Sequence, residues 1–156
     1  MEAITLAAAP KSYEIEVGAN KAIEPICLVH IPVDDQETTS LPNLRITAGT
    51  SSESSFLELF FSQGSNKSQS LARTEILLDK NAKLNHHKAV LTELPHLHVG
   101  KLKAELERDA QLYSLTFSAA GSLNRNNIEI NVNGEGAHVT ANGLFTARGE
   151  QHQDNF

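Results

Sequence analysis

The feature of this sequence that most constrains its fold is a repeat of about 28 residues, a length typical of solenoid units. An apolar residue follows a small or polar turn at nearly equal intervals, at Phe56, Leu84, Leu112 and Val139. A unit of this length cannot bury its own apolar face, so successive units must stack and share one core. The period therefore indicates a solenoid.

Each repeat contains two segments that read as strands. The first alternates apolar and polar residues, which is typical of a half-buried strand, and occurs at 44–46, 74–78, 102–106 and 128–132. The second follows the recurring apolar residue and occurs at 56–61, 84–91, 112–117 and 139–145, with a turn expected at Asn142-Gly143. Residues 101–108 could form a helix in isolation, but their place in the repeat favours a strand. We predict an all-β solenoid over 13–156, with 1–12 as an N-terminal tail.

Composition limits the partners and the compartment. The formal net charge of -6 argues against nucleic acid or an anionic membrane as a partner, since both need a basic surface. Cys27 is the only cysteine, so no disulfide forms within the chain, and its apolar neighbours predict a small core residue rather than a reactive thiol. The N-terminus lacks the basic and apolar regions of a secretory signal. We expect a cytoplasmic protein, or a stromal one if its source has plastids.

The only local group of metal-ligand type consists of four histidines, His86, His87, His96 and His98. His96 and His98 would share one face of a strand, and with His86 they form the candidate metal site. The alternative is a set of polar ladders, because His86 lies one repeat from Ser114, and the pair lies one repeat from Asn124 and Asn126. We favour the ladders, since the ligand set is incomplete.

The metal hypothesis would imply a different function, a histidine-dependent metalloenzyme of the cupin type. A cupin has a glutamate three or four residues after its His-x-His pair, whereas Glu105 lies seven residues after His98. Other catalytic patterns are weaker still. Asp34-Asp35 is an isolated acidic pair, no nucleophile elbow occurs, and Gly134-Glu135-Gly136 predicts a β-turn rather than a nucleotide loop. No catalytic residue is predicted.

Two stretches near the C-terminus carry a family resemblance. The segment 134–145 includes Gly136, Asn142 and Gly143, and a Gln-His-x-Asp-Asn run at 151–155 includes His152, Asp154 and Asn155. With the repeat, these motifs resemble the SufB and SufD family of iron-sulfur assembly proteins over roughly 13–155. Sparse cysteine and histidine chemistry is most similar to the SufD branch.

The resemblance implies a right-handed parallel β-helix that acts as a scaffold and is not an enzyme. Its implied partners are a SufB-type subunit and a SufC-type ATPase, with a homodimer as a further expectation. The chain would hold no cofactor itself, and the iron-sulfur cluster would be assembled transiently at the level of the complex. Family members continue past the Gln-His-x-Asp-Asn run, so the chain looks like a fragment without the family's interface cysteine and histidine. Its open ends predict self-association.

Overall fold

The computed structural model describes residues 12–31, 37–62, 67–119 and 121–156. Over these residues the chain forms strands joined by turns, and no helix capable of crossing a membrane occurs among them. The strands are Tyr13–Val17 (β1), Ile26–His30 (β2), Thr38–Ser40 (β3), Asn43–Ala48 (β4), Glu53–Phe61 (β5), Ser68–Leu78 (β6), Lys83–Leu91 (β7), Leu97–Leu106 (β8), Gln111–Ala119 (β9), Leu123–Val132 (β10), His138–Thr146 (β11) and His152–Asn155 (β12).

The strands form two sheets in which every pairing between described strands is parallel. The first sheet has the order β1-β4-β6-β8-β10-β12, with β3 also paired to β6. The second sheet has the order β2-β5-β7-β9-β11. The chain passes from one sheet to the other and back, and each return adds a strand beside its predecessor. This is the predicted β-solenoid, and the strand assignment of residues 102–106 is confirmed within β8.

The length of a coil changes slightly along the stack. In the second sheet, Leu84 pairs with Leu112 and Leu112 with Val139, as the repeat predicts. Phe56, however, pairs with His86 rather than with Leu84, so this coil is two residues longer than predicted. A shift of two residues keeps every side chain on the same face of a strand, and a search for alternating patterns therefore does not detect it.

The same residue position turns the corner of every coil. Asn20, Ser51, Asn81 and Asp109 all have positive φ between 56 and 59°, and Gly136 follows with a φ of 73°. The backbone nitrogens of the first four each donate to a carbonyl of the next coil, at 2.8 to 3.0 Å. Asparagine, aspartate and glycine tolerate this left-handed conformation better than other residues. The Gly134-Glu135-Gly136 turn is thus the last corner of a series.

Half of the space between the sheets is an apolar core. Its rows run through neighbouring coils, with Ile46 beside Ile76 and Leu78 beside Leu106. These four side chains are at most 2% exposed. The partly buried residues of β1, β2, β10 and β11 extend this core toward both ends. Burial of aliphatic side chains in continuous rows is the main source of stability in such a stack.

Several sequence predictions are corrected by the structure. Asn142 and Gly143 lie inside the continuous strand β11 and form no turn. Cys27 is exposed, because it alternates with Ile26 and Leu28 and points to the outside of β2. The Asp34-Asp35 pair and residues 1–11 of the predicted tail lie outside the described residues.

Candidate functional site

The other half of the interior is polar, and it is the candidate functional site. The buried polar cluster is defined here by Glu58 on β5, His86 and Lys88 on β7, His98 on β8 and Asn126 on β10. All five side chains point inward and are at most 8% exposed. They occupy the inward positions of strands that supply apolar residues elsewhere, so alternation places charged groups in the middle of the fold.

Glu58 lies at the centre of this cluster. Its Oε2 accepts a hydrogen bond from Thr74 Oγ1 at 2.7 Å and pairs with His86 Nε2 at 2.8 Å, while His30 Nε2 lies 3.5 Å from Oε1. Burial raises the pKa of Glu58, but the neighbouring imidazoles of His30 and His86 and the charge of Lys88 outweigh burial and hold that pKa below its usual range. The carboxylate is therefore ionised at neutral pH.

Lys88 supplies a buried positive charge one coil away. It is the direct register partner of Glu58, and its Nζ donates to Asn126 Oδ1 at 3.0 Å. Gly100 makes room for this ammonium group, since a Cβ at position 100 would lie 2.2 Å from Nζ. Burial lowers the pKa of Lys88 to about 8, against the opposing effect of Glu58. An appreciable fraction of this lysine is consequently neutral near physiological pH.

His98 and His96 form a second part of the polar interior and share a serine. Ser70 Oγ lies 2.7 Å from His98 Nδ1 and 3.1 Å from His96 Nε2, and Ser68 Oγ lies 2.7 Å from His96 Nδ1. Burial lowers the pKa of both histidines, and for His98 the charge of Lys88 adds to the effect. Both rings are therefore neutral at pH 7. His98 Nε2 is buried without a hydrogen-bond partner among the described residues.

Asparagine side chains continue the polar half into the last coils. Asn126 Nδ2 donates to Asn124 Oδ1 at 3.1 Å and to Asn155 Oδ1 at 3.3 Å, and Asn124 Nδ2 donates to Ser118 Oγ. These contacts link β9, β10 and β12 through amides rather than through apolar packing. Because buried amides need partners, they fix the relative positions of neighbouring coils.

A cavity of about 570 Å³ opens beside this polar interior. Its lining combines aromatic and aliphatic groups with Ser70, Thr92, His30 and His96. Phe60 separates the cavity from the cluster. Its ring stacks on His30 at 4.4 Å between centroids, meets His98 edge-on at 4.7 Å and lies 5.0 Å from Lys88 Nζ.

This arrangement can exchange protons and bind small polar groups. Two imidazoles contact one carboxylate, and beside it stands Lys88, whose pKa of about 8 lets this lysine gain or release a proton near neutral pH. The charges are balanced within the fold, which limits the cost of burying them.

The structure separates the histidines of the candidate metal site. His86 contacts Glu58, whereas His96 and His98 contact Ser70. Within the described ranges, no group of three or more histidine, cysteine, aspartate or glutamate side chains could hold a metal ion. The predicted ladder is confirmed for His86 with Ser114, but His98 pairs with Asn124 and Gly100 pairs with Asn126. The coil between β8 and β10 is therefore two residues shorter than the repeat predicts.

The cupin alternative is inconsistent with this fold. A cupin is a jelly roll of antiparallel strands, whereas every described pairing here is parallel. The ladder interpretation of the histidines therefore agrees with the architecture, and the cupin-like metalloenzyme does not.

The motif residues near the C-terminus lie in three separate places. Gly136 forms the last corner, and Asn142 and Gly143 lie on the edge strand β11. On β12, His152 is exposed. Asp154 Oδ2 lies 3.5 Å from Arg125 Nη1, and Asn155 contacts the cluster through Asn126. A functional role for these six residues remains a prediction.

Sequence reasoning missed Glu58, Lys88 and His30. The signal was present, because Glu58 alternates with Phe56 and Phe60 and must therefore share their inward face. The register pairing of Glu58 with Lys88 could not be found, since the period of the repeat places Glu58 opposite His86, with which Glu58 does form a hydrogen bond. The actual coil is two residues longer and places Glu58 opposite Lys88.

Comparison with known proteins gives the family of this chain. Comparison with curated proteins and with solved structures found no significant match. The family model for the SufBD core domain, described as SUF system FeS cluster assembly, matches residues 31–156. That range covers most of the chain and includes the described strands β3 to β12. The chain therefore belongs to the SufBD core-domain family of the SUF iron-sulfur cluster assembly system.

Proposed function

We propose that this chain is a SufD-like scaffold component of the SUF machinery. It pairs with a SufB-type subunit and a SufC-type ATPase and performs no catalysis of its own. The observation that carries the proposal is the family match over residues 31–156. The cluster is cargo of the whole complex, and its place of assembly in this proposal is the cytoplasm, or the stroma in a plastid-bearing source.

The physical properties of the fold support a scaffold. Each coil is bound to the next through parallel ladders in both sheets, so movement of one coil strains its neighbours. The polar contacts that bridge Lys88 to Asn126 and Asn126 to Asn155 also tie successive coils together. A rigid platform of this kind holds two partners at a fixed distance, which is what an assembly complex requires.

Assignment to the SufD branch rests on the residues available for cluster chemistry. The single cysteine, Cys27, lies on the outer face of β2, whereas His30 and His86 lie in the interior. Both of these histidines contact Glu58. The proposal therefore gives the cluster ligands to the partner subunit.

The experiment is reconstitution of the full-length protein with a SufB-type subunit and a SufC-type ATPase. We expect a stable three-component complex, with iron and sulfide in the complex and none on this protein alone. Omission of each component in turn is the control. Iron and sulfide held by this protein with only the ATPase would favour a SufB-type role. Failure to bind either partner would contradict the scaffold proposal.

A further inference from the structure

The cavity beside the polar interior has the size and the lining of a site for a small organic molecule. Its volume is about 570 Å³, and ligand pockets in proteins typically measure about 300 to 1,000 Å³. It lies between the C-terminal ends of β2 and β5 on one side and the junction of β3 with β4, at Leu41 and Pro42, on the other. The scaffold proposal makes no use of this cavity.

Exposed apolar side chains surround the cavity. Tyr13, Val29 and Ile31 line it, and each of them is more than half exposed to water. Large apolar groups gain free energy when a ligand removes them from water. The lining therefore favours a ligand with an apolar body.

A stacked pair of rings forms part of the cavity wall. His30 on β2 and Phe60 on β5 are register partners, with ring centroids 4.4 Å apart and ring planes within 15° of parallel. β2 is the edge strand of the second sheet, so among the described strands none continues this row past His30. A planar ring in the cavity can lie against the imidazole face that is opposite Phe60. The wall therefore favours an aromatic ligand.

Thr92 gives the cavity a hydrogen-bonding group that is not otherwise used. Thr92 lines the cavity and is 6% exposed, and its Oγ1 has no hydrogen-bond partner among the described residues. Ser70 and His96, in contrast, contact each other at 3.1 Å. A buried hydroxyl without a partner is unfavourable, and a ligand that hydrogen-bonds to it removes that cost. The hydroxyl can accept from an N–H group or donate to a carbonyl.

The cavity offers no charge to a ligand. Among the described residues that line it, none is a lysine, arginine, aspartate or glutamate. The buried charges of Glu58 and Lys88 lie behind His30 and Phe60 and balance each other. Moving a carboxylate, phosphate or ammonium group from water into this cavity is therefore costly, because no opposite charge compensates it.

We propose that this cavity binds a small, neutral aromatic molecule that carries one hydrogen-bonding group. The ring lies against His30 and the surrounding apolar side chains, and the hydrogen-bonding group contacts Thr92 Oγ1. Nucleotides and other phosphorylated molecules are disfavoured, because the cavity supplies no cation for the phosphate. This binding is a property of the cavity alone and does not depend on the scaffold role.

The first test uses indole as the probe, because indole is planar and neutral and has a single N–H donor. An NMR titration of the full-length protein should show one site with a dissociation constant of about 1 mM or below. 1-Methylindole keeps the ring but lacks the donor, and it should bind about 5- to 10-fold more weakly. Indole-3-carboxylate adds a negative charge and should not bind at the same concentrations.

The second test uses Thr92→Val, because valine keeps the shape of threonine and removes the hydroxyl. This variant should bind indole only as tightly as the wild type binds 1-methylindole. Its affinity for 1-methylindole should be unchanged, which also shows that the cavity is still folded. Thr47→Val, at an outward position of β4, is the matched control and should bind indole as the wild type does.

The His30 ring gives a further readout in protein with labelled histidines. Its ring protons should move upfield when indole binds, because a stacked aromatic ring shields them, whereas the exposed His138 should not respond. Absence of saturable indole binding would overturn the proposal. Binding that Thr92→Val leaves unchanged, or that does not shift the His30 protons, would place indole elsewhere and would also overturn it.

Discussion

The two halves of the solenoid interior are built from the same strands but hold the fold together differently. In one half, rows such as Ile46 and Ile76 exclude water and need no partners beyond close contact. In the other half, Glu58 and Lys88 are buried to a similar extent. The charge of Lys88 stabilises the Glu58 carboxylate, and Lys88 donates a hydrogen bond to Asn126. Burial alone therefore does not reveal how a residue contributes to stability.

The two halves of the interior should tolerate substitutions differently. An apolar row loses contacts in proportion to the atoms removed. Removal of both charges from a charge-balanced cluster costs little stability, whereas removal of only one charge costs much more. Variants that remove one charge or both charges therefore distinguish the polar half from the apolar half.

The largest effect is expected from Lys88→Met. Glu58 keeps its hydrogen bonds with Thr74 and His86 but loses the buried positive charge that balances it, and a buried charge left uncompensated costs about 3 to 5 kcal/mol. Urea unfolding at pH 7 measures the change in free energy. Lys103→Met is the matched control, because Lys103 pairs with Glu105 on the surface, where an ion pair contributes little to stability. Equal effects at both sites would show that the polar half is not distinct.

A smaller effect is expected from Gly100→Ala. The added Cβ would occupy space within 2.2 Å of Lys88 Nζ, so the lysine must shift away from Asn126. Overpacking of this kind costs about 1 to 3 kcal/mol. Gly18→Ala is the control, since its added Cβ would meet only Lys21 Cγ at 3.7 Å. A Gly100→Ala protein with unchanged thermal stability would indicate that Lys88 does not need this space.

The unfolding free energy should depend on pH because the polar half buries a neutral histidine. The pKa of His98 is lowered well below 6.5 in the folded protein, so as pH falls the unfolded chain takes up a proton that the folded chain does not. Stability is therefore greatest above the unfolded pKa, about 6.5, and falls below it by up to about 1.4 kcal/mol per pH unit for each such group.

Urea unfolding at intervals from pH 7.5 to 5.5 measures this slope. His98→Asn should make the slope shallower, whereas His138→Asn, at an exposed position, should not change it. A slope that is the same in both variants would contradict the buried, neutral state of His98.

The fold could be predicted because two patterns recur along the chain, the alternation within each strand and the spacing between strands. The alternation within β6 or β8 identifies an inward face, and the period of the repeat identifies the neighbour of each strand. The exact register could not be predicted. The coil from β5 to β7 and the coil from β7 to β9 differ in length by two residues, yet both preserve the same alternation.

The candidate site depended on that register and was predicted only in part. His86, His96 and His98 were predicted to belong to polar ladders, and the structure places all three in the interior. Glu58 and Lys88 were not recognised as register partners, because the predicted period places Glu58 opposite His86, which the structure shows to be its hydrogen-bond partner in the neighbouring coil. The exposure of Cys27 was missed for a different reason: its apolar neighbours suggested a core position, but Leu28 rather than Cys27 shares the inward face with Ile26.

The double variant Glu58→Gln/Lys88→Met tests most directly whether the polar half is held by charge balance. Glutamine keeps an oxygen for Thr74 Oγ1, and methionine keeps most of the volume of Lys88, so both charges disappear with little change in packing. The account predicts an unfolding free energy equal to or above that of the wild type, and well above that of Lys88→Met alone. A double variant as unstable as Lys88→Met, or less stable, would contradict it.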